Sequence, residues 1–121
     1  MTQQREPAAV RRDREQVAEL QRQVAEVGFF VRGTLSKVWG RCGKTTCRCQ
    51  ATPPKLHGPY VQWTRKVAAK TVTVRVRPED VPLYEEWVAN SRRLDKLVDR
   101  MRDLSLRATT RIIQARRSGG S

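Results

Sequence analysis

Residues 42–60 read CGKTTCRCQATPPKLHGPY, and this stretch contains all three cysteines and the only histidine of the chain. The spacing C-x4-C-x-C-x7-H supplies three thiolates and one imidazole, a donor set that tetrahedral zinc takes in structural sites. Gly43 allows backbone N–H groups to approach a thiolate, and a turn at Gly58 and Pro59 returns the chain toward the cysteines. We therefore predict one Zn²⁺ held by Cys42, Cys47, Cys49 and His57.

Other interpretations of this cluster remain open. In one alternative, the three cysteines are ordinary reduced thiols beside a surface histidine. In another, they carry out redox catalysis. Redox catalysis is disfavoured because the CxxC spacing that opens a helix in thioredoxin-like sites is missing. Catalytic zinc needs an open coordination position and a nearby base, yet no Asp or Glu occurs between residues 27 and 78. We expect no enzymatic activity.

The charge of the chain is strongly positive and unevenly distributed. Lys and Arg total 25 against 12 Asp and Glu, a net charge of +13, and eleven of the basic residues lie in the acid-free stretch between Gly28 and Pro78. A solvated basic surface normally carries acids too, so the imbalance favours a nucleic acid partner, DNA more than RNA. The candidate contact residues are Arg41, Lys44, Arg48, Lys55, Arg65, Lys66, Lys70, Arg75 and Arg77. Trp39, Tyr60 and Trp63 would either stack on bases or supply buried apolar area.

The alternation of side chains predicts β-structure on the C-terminal side of the cysteines. Residues 60–63 and 71–76 alternate at period two and predict a hairpin closed across residues 65–70, with Val72, Val74 and Val76 facing inward. A third strand is predicted over residues 35–41. This segment is too short for a secure apolar core, so a bound metal would compensate for the missing buried surface.

Helical patterns flank the basic segment. Apolar residues at heptad-like spacing predict a helix over 7–27, with Asp13 as the one polar residue of its seam, and a second helix over 81–116. The stretch 105–110, with the β-branched pair Thr109 and Thr110, is predicted to break or fray the second helix. Because both seams are narrow, we expect the helices to pair as an antiparallel coiled coil.

Together these elements predict an α+β fold with four regions. They are an N-terminal coiled-coil helix (1–27), a basic zinc-binding β module (28–78), a long C-terminal helix (79–118) and a disordered tail (119–121). The seams also suit a homodimer or a protein partner that binds through the helices. No apolar run reaches the ~20 residues of a membrane span, and the N-terminus lacks a signal-peptide core, so we expect a cytoplasmic protein without a membrane partner.

The motif also resembles a family of small prokaryotic proteins that constitute a domain of unknown function. The pattern of that family is C-G-K-x-x-C-x-C followed by H-G-P-Y, a β segment with a threonine-rich strand, and a long charged helix. The resemblance covers about residues 33–100 and implies the same four metal ligands, but it implies no known activity. The residues that carry it are Cys42, Gly43, Lys44, Cys47, Cys49, His57, Gly58, Pro59 and Tyr60.

The sequence therefore favours a zinc-containing DNA-binding accessory or regulatory factor without catalysis. The alternative is a protein-interaction module whose coiled coil recruits partners and whose basic segment meets an acidic protein. Binding to duplex DNA and its dependence on salt would distinguish the two.

Overall fold

The structure is a computed structural model, and it describes residues 6–119. Over these residues the chain forms α1 (Ala8–Ala25), β1 (Thr34–Gly40), β2 (His57–Val67), β3 (Lys70–Val76) and α2 (Val81–Gly119), with short 3₁₀ turns at Arg48–Gln50 and Pro78–Asp80. The predicted α+β fold is confirmed, with both helices and the third strand present. Helix α2 includes Gly119, which the sequence analysis placed in the tail, while residues 120 and 121 lie outside the described residues.

The three strands form one antiparallel sheet in the order β1-β2-β3, with β2 in the centre. Trp63 of β2 lies opposite Leu35 of β1 on one side and Val74 of β3 on the other. Directly opposed side chains of an antiparallel pair point to the same face, so this register decides which residues share a face. Near the end of β1 the register shifts between Val38 and Gly40.

The hairpin β2–β3 closes more tightly than the sequence suggested. Val67 pairs with Lys70, which leaves only Ala68 and Ala69 in the turn. Their φ angles are 50° and 66°, the left-handed conformation at both central positions that matches the twist of the flanking strands. Alanine adopts this conformation at a cost that glycine or asparagine largely avoids.

One face of the sheet, which we call the helix-side face, packs on the start of α2. The Trp63 ring lies 5.2 Å from the ring of Tyr84, and Tyr84 lies 5.2 Å from Trp87. Trp63 Nε1 also donates a hydrogen bond to the carbonyl of Arg32 (2.9 Å). Of the three valines predicted to face inward, Val76 is buried and Val72 is half-buried, whereas Val74 on the edge strand β3 is 42% exposed.

The described chain divides into two compact units. One unit is Phe29–Ser91, and it contains the sheet and the first turns of α2; the other contains α1 and the part of α2 from Arg92 onward. The first unit therefore extends beyond the predicted module boundary at residue 78. Two hydrogen bonds tie the start of this unit to α2. Val31 N–H donates to the carbonyl of Trp87 (3.1 Å), and the Asn90 side chain donates to the carbonyl of Phe29 (2.8 Å).

The helical unit is organised around a buried carboxylate. Val10 and Asp13 of α1 are almost fully buried, and the Asp13 carboxylate accepts hydrogen bonds from Arg107 (2.8 Å) and Arg111 (3.4 Å) of α2. The polar residue of the α1 seam thus has charged partners on the second helix. These contacts bring α1 against α2, whereas the antiparallel coiled coil stays a prediction.

The predicted break in α2 does not occur, because the helix is continuous through Thr109 and Thr110. Both hydroxyls donate to the carbonyl of Leu106, at 3.1 and 2.7 Å. Hydrogen bonds of this kind satisfy the threonine hydroxyls within the helix, although they slightly weaken it.

We expect Asp13→Asn to destabilise the protein in a pH-dependent way. The hydrogen bond from Arg107, followed by the charges of Arg107 and Arg111, holds the pKa of Asp13 below its usual range. A lowered pKa adds stability above the unfolded value of about 3.9, and this contribution is lost as the pH falls through the folded value. Thermal unfolding should therefore show a lower melting temperature for Asp13→Asn at pH 7 and a smaller difference below pH 4.

A matched control for this substitution is Glu19→Gln, which removes an exposed carboxylate that pairs with Arg22 on the same helix. Exposed pairs contribute little, so its melting temperature should stay close to that of the wild type. A destabilisation by Asp13→Asn that is equally large at pH 7 and at pH 3.5 would contradict a role for the carboxylate charge.

Candidate metal centre and basic surface

Four potential ligand atoms converge at one end of the sheet. The side-chain donors of Cys42, Cys47, Cys49 and His57 all lie within 4.8 Å of one another. Cys42 Sγ is 3.5 Å from Cys49 Sγ, and Cys47 Sγ is 3.1 Å from His57 Nε2. Tetrahedral zinc with ordinary bond lengths separates two sulfurs by about 3.8 Å and a sulfur from a nitrogen by about 3.6 Å. These residues could therefore hold one metal ion.

The sheet and a short turn position the four donors. Cys42 follows β1 and His57 begins β2, and pairing of Gly40 with His57 brings these two strand ends together. Cys47 N–H donates to the carbonyl of Lys44 (3.2 Å), which closes the bend between the first two cysteines. Cys49 lies in the 3₁₀ turn and is completely buried. Every donor is thus fixed by local backbone hydrogen bonds or by the sheet.

The surroundings of the sulfurs favour deprotonation at one of them. The backbone N–H of Cys49, followed by hydrogen bonds from Cys42 and His57, lowers the pKa of the Cys47 thiol to about 6. The backbone N–H of Cys42, which lies 3.2 Å from Cys49 Sγ, also lowers the pKa of Cys49, but burial and the neighbouring thiols outweigh it and raise that pKa overall. A thiolate is the form of cysteine that binds metal.

Two glycines of the motif differ in their roles. Backbone N–H groups approach the sulfurs as expected, with the Cys42 N–H 3.2 Å from Cys49 Sγ, whereas nothing lies within 4 Å of a Cβ placed at Gly43. Gly58 has a φ of +135°, and a Cβ there would lie 2.9 Å from both Trp39 Cδ1 and the carbonyl of Val38. Only glycine fits beside the Trp39 ring at the start of β2.

The predicted nucleic-acid contacts fall into separate groups. Four of the predicted contacts are exposed around the candidate metal ligands, and none of the four pairs with an acid among residues 6–119. They are Arg41, Lys44, Arg48 and Lys55. We call these four residues the loop cations. They form one group because the segment between β1 and β2 carries them all.

The cations of the hairpin are divided between its two faces. By register, Arg65 and Lys70 lie on the helix-side face, whereas Lys66 and Arg75 lie on the opposite face. The Arg65 guanidinium lies 4.2 Å from the centre of the Trp63 ring. Arg77 is at the start of the second 3₁₀ turn and pairs with Asp80 (2.9 Å) and Glu79 (3.6 Å). The charge of Arg77 is therefore compensated, unlike that of the loop cations.

The side of the sheet away from Trp63, which we call the open face, carries polar rows across all three strands. One row is Thr34–Thr64–Thr73, in which the hydroxyls of Thr64 and Thr73 lie 3.1 Å apart, and the next is Ser36–Gln62–Arg75. Tyr60 lies opposite Val38, and the Arg75 guanidinium stacks 4.0 Å from the centre of its ring. The open-face residues of β3 and the polar ones of β1 are exposed. Sequence reasoning missed this surface because it did not assign the register of β1.

Comparison of the sequence with protein families gives a match to a family model. The family model described as Domain of unknown function (DUF6788) matches residues 8–88, about two thirds of the chain. The chain belongs to this family. The matched range of the DUF6788 family starts at α1, which the resemblance drawn from the motif left out, and it includes the four metal-ligand candidates and the whole sheet. Neither the curated proteins nor the solved structures contain a match.

The three aromatic residues of the DUF6788 sheet have different environments. Trp63 is half-buried and packs between Arg65 and Tyr84. Trp39 is 55% exposed beside Gly58, and Tyr60 belongs to the open face.

Among the helices described, none combines the length and apolar character required to cross a membrane.

Proposed function

We propose that this DUF6788 protein is a zinc-containing DNA-binding protein that serves as an accessory or regulatory factor. The observation that carries the proposal is the group of loop cations, whose charges meet no acid in the described chain. The strands beside them add further cations and likewise contain no Asp or Glu. Such a surface attracts the phosphate backbone of a nucleic acid.

The donor set supports zinc as the metal. Three cysteine sulfurs and one imidazole nitrogen match the ligands that zinc prefers, whereas calcium and magnesium require oxygen donors. Zinc bound by all four residues would tie the end of β1, the 3₁₀ turn and the start of β2 together. Four protein ligands fill a tetrahedral site, so no position is left for a reacting water, and the proposal includes no catalysis. Reduced thiols agree with a cytoplasmic location.

The proposal predicts a steep dependence of DNA affinity on salt. Each phosphate contact releases condensed counterions, so the logarithm of the affinity for duplex DNA should fall by about 0.9 per contact for each tenfold rise in salt. Lys44→Gln with Lys55→Gln should weaken binding and flatten this slope by up to about 1.8. Fluorescence anisotropy with a labelled mixed-sequence DNA, titrated at several salt concentrations, measures both quantities.

The control for the loop variant removes the same charge elsewhere. Lys96→Gln with Arg100→Gln changes two exposed cations of α2 and should leave both affinity and slope close to the wild-type values. Metal content must stay at the wild-type level in both variants. No binding of single-stranded or duplex DNA at low salt would refute the proposed function.

A protein-interaction module is the second candidate function. Large apolar side chains are exposed in both units, namely Phe29 (82%) and Phe30 (52%) in one and Leu106 (70%) and Ile113 (48%) in the other. Such side chains suit a protein partner or a second copy of the chain. This function would replace DNA binding if the loop variant abolished binding of an acidic protein while the wild type failed to bind DNA.

A further inference from the structure

The open face has the composition of a surface that binds a polar, anionic ligand. Its rows present the hydroxyls of threonine and serine, the amide of Gln62, and the cations of Lys66 and Arg75. No carboxylate interrupts it, since the strands contain no acidic residue. Hydroxyl and amide groups can donate to phosphates and to the edges of bases, and the cations add attraction at longer range.

The Tyr60–Arg75 pair adds a planar element at the metal end of this face. Tyr60 is half-buried in the central strand, so its ring is held by its neighbours, while Arg75 on the edge strand is exposed. The guanidinium lies 4.0 Å from the ring centre, which holds the two groups in a stack. Aromatic rings and arginine planes are the groups on which proteins stack unpaired bases.

The width of the face indicates which form of nucleic acid fits it. Three strands spaced about 4.8 Å apart give a surface about 10 Å across before side chains are counted. The major groove of duplex DNA admits a helix or a two-stranded ribbon, and three strands with their side chains are wider than either of these elements. A single strand can instead lay its exposed bases on the sheet.

The length of the face suits several nucleotides. Tyr60 and Lys66 lie six residues apart on β2, which is about 20 Å along the strand. The loop cations continue the positive charge beyond Tyr60, because the segment that carries them connects β1 to β2 at this end of the sheet. A single strand that follows β2 would therefore have cations near both ends and the stacked pair between them.

We propose that the open face binds single-stranded DNA, with one base stacked on the Tyr60–Arg75 pair and the backbone running between Lys66 and the loop cations. This inference rests on the proposed DNA-binding function and specifies its ligand. It assigns no role to the helix-side face, whose cations Lys37 and Lys70 are exposed on the opposite side of the same sheet. The two faces therefore provide matched sets of substitutions.

The experiment compares a labelled 20-nucleotide single strand with the same strand annealed to its complement. Fluorescence anisotropy at moderate salt should show at least tenfold tighter binding of the single strand. Lys66→Gln with Arg75→Gln should weaken this binding and flatten the salt slope by about 1.4, the value for two contacts on a single strand. Lys37→Gln with Lys70→Gln removes the same charge from the other face and should cause a clearly smaller change in both quantities.

The stacked base is tested at Tyr60. Loss of a base stack should make Tyr60→Leu bind the single strand roughly 10- to 100-fold more weakly, whereas Tyr60→Phe keeps the ring and should bind like the wild type. Circular dichroism and metal content establish that each variant is folded. The Phe variant keeps the test decisive if the Leu variant does not fold, because a large loss of binding by folded Tyr60→Phe would itself contradict stacking on the ring.

The possible failures are distinguishable. Equal or tighter binding of the duplex, or equal losses from substitutions on the two faces, would overturn the assignment of single-stranded DNA to the open face while leaving DNA binding intact. Absence of binding to both DNA forms would instead refute the proposed function on which the inference rests.

Discussion

The proposed zinc ion is expected to hold the sheet-containing unit together, so its removal should unfold that unit. The side chains buried in this unit are few, with Cys49, Val76 and Val88 the apolar ones among the described residues that are nearly inaccessible. Structural zinc contributes about 10–16 kcal/mol in small zinc-binding peptides, as much as the whole stability of a typical domain. Cys49→Ser removes the buried ligand and should have the same effect as a strong chelator.

Mass spectrometry under native conditions measures the metal content, and circular dichroism measures the loss of structure as chelator is added. Thr46→Ser is the matched control, because this exposed residue lies between Cys42 and Cys47 without belonging to the cluster. It should retain one metal per chain and the wild-type melting temperature. If Cys49→Ser also retains both, the four residues do not form a structural metal site.

Trp63→Ala should lower the free energy of unfolding by about 3 kcal/mol, the lower end of the range for large aromatic residues in cores. The substitution removes the ring that contacts Tyr84 and supports the Arg65 guanidinium. It also leaves the carbonyl of Arg32 without its hydrogen bond from Nε1. Chemical denaturation of the metal-loaded protein, followed by circular dichroism, measures this change.

Trp63→Phe separates packing from hydrogen bonding at the same position. Phenylalanine keeps an aromatic ring against Tyr84 but has no N–H for the Arg32 carbonyl, so the loss should be close to 1 kcal/mol from the hydrogen bond, plus the smaller ring's lost contacts. A result that contradicts this packing role would be a Trp63→Ala variant with unchanged stability and a large loss of DNA affinity. That result would make Trp63 a base-stacking residue.

The candidate metal ligands and the secondary-structure elements were predictable because both depend on local sequence. Ligand chemistry and spacing identified Cys42, Cys47, Cys49 and His57, and the structure brings their donor atoms together. The 3.6-residue and two-residue periodicities identified the helices and the β2–β3 hairpin. These signals depend on residues close in sequence, where side-chain direction follows from backbone geometry.

The remaining features depend on contacts between distant residues, which one sequence does not encode in a readable pattern. The partner of Asp13 is Arg107, 94 residues away. The register of β1 on β2 decides which β1 residues lie on the open face, and a shift of one residue would move those side chains to the other face. For the same reason the candidate DNA contacts were predicted as one group, although Arg65 and Lys66 lie on opposite faces.

The two connections within the sheet differ greatly in length, and this difference bears on the order of folding. Ala68 and Ala69 alone join β2 to β3, whereas residues 41–56 separate β1 from β2 and carry three of the four metal ligands. Closing a longer loop costs more chain entropy, and two-residue hairpins form within microseconds. The β2–β3 hairpin can therefore form before the proposed zinc ion binds, and binding of that ion would then favour addition of β1 as the last strand of the sheet.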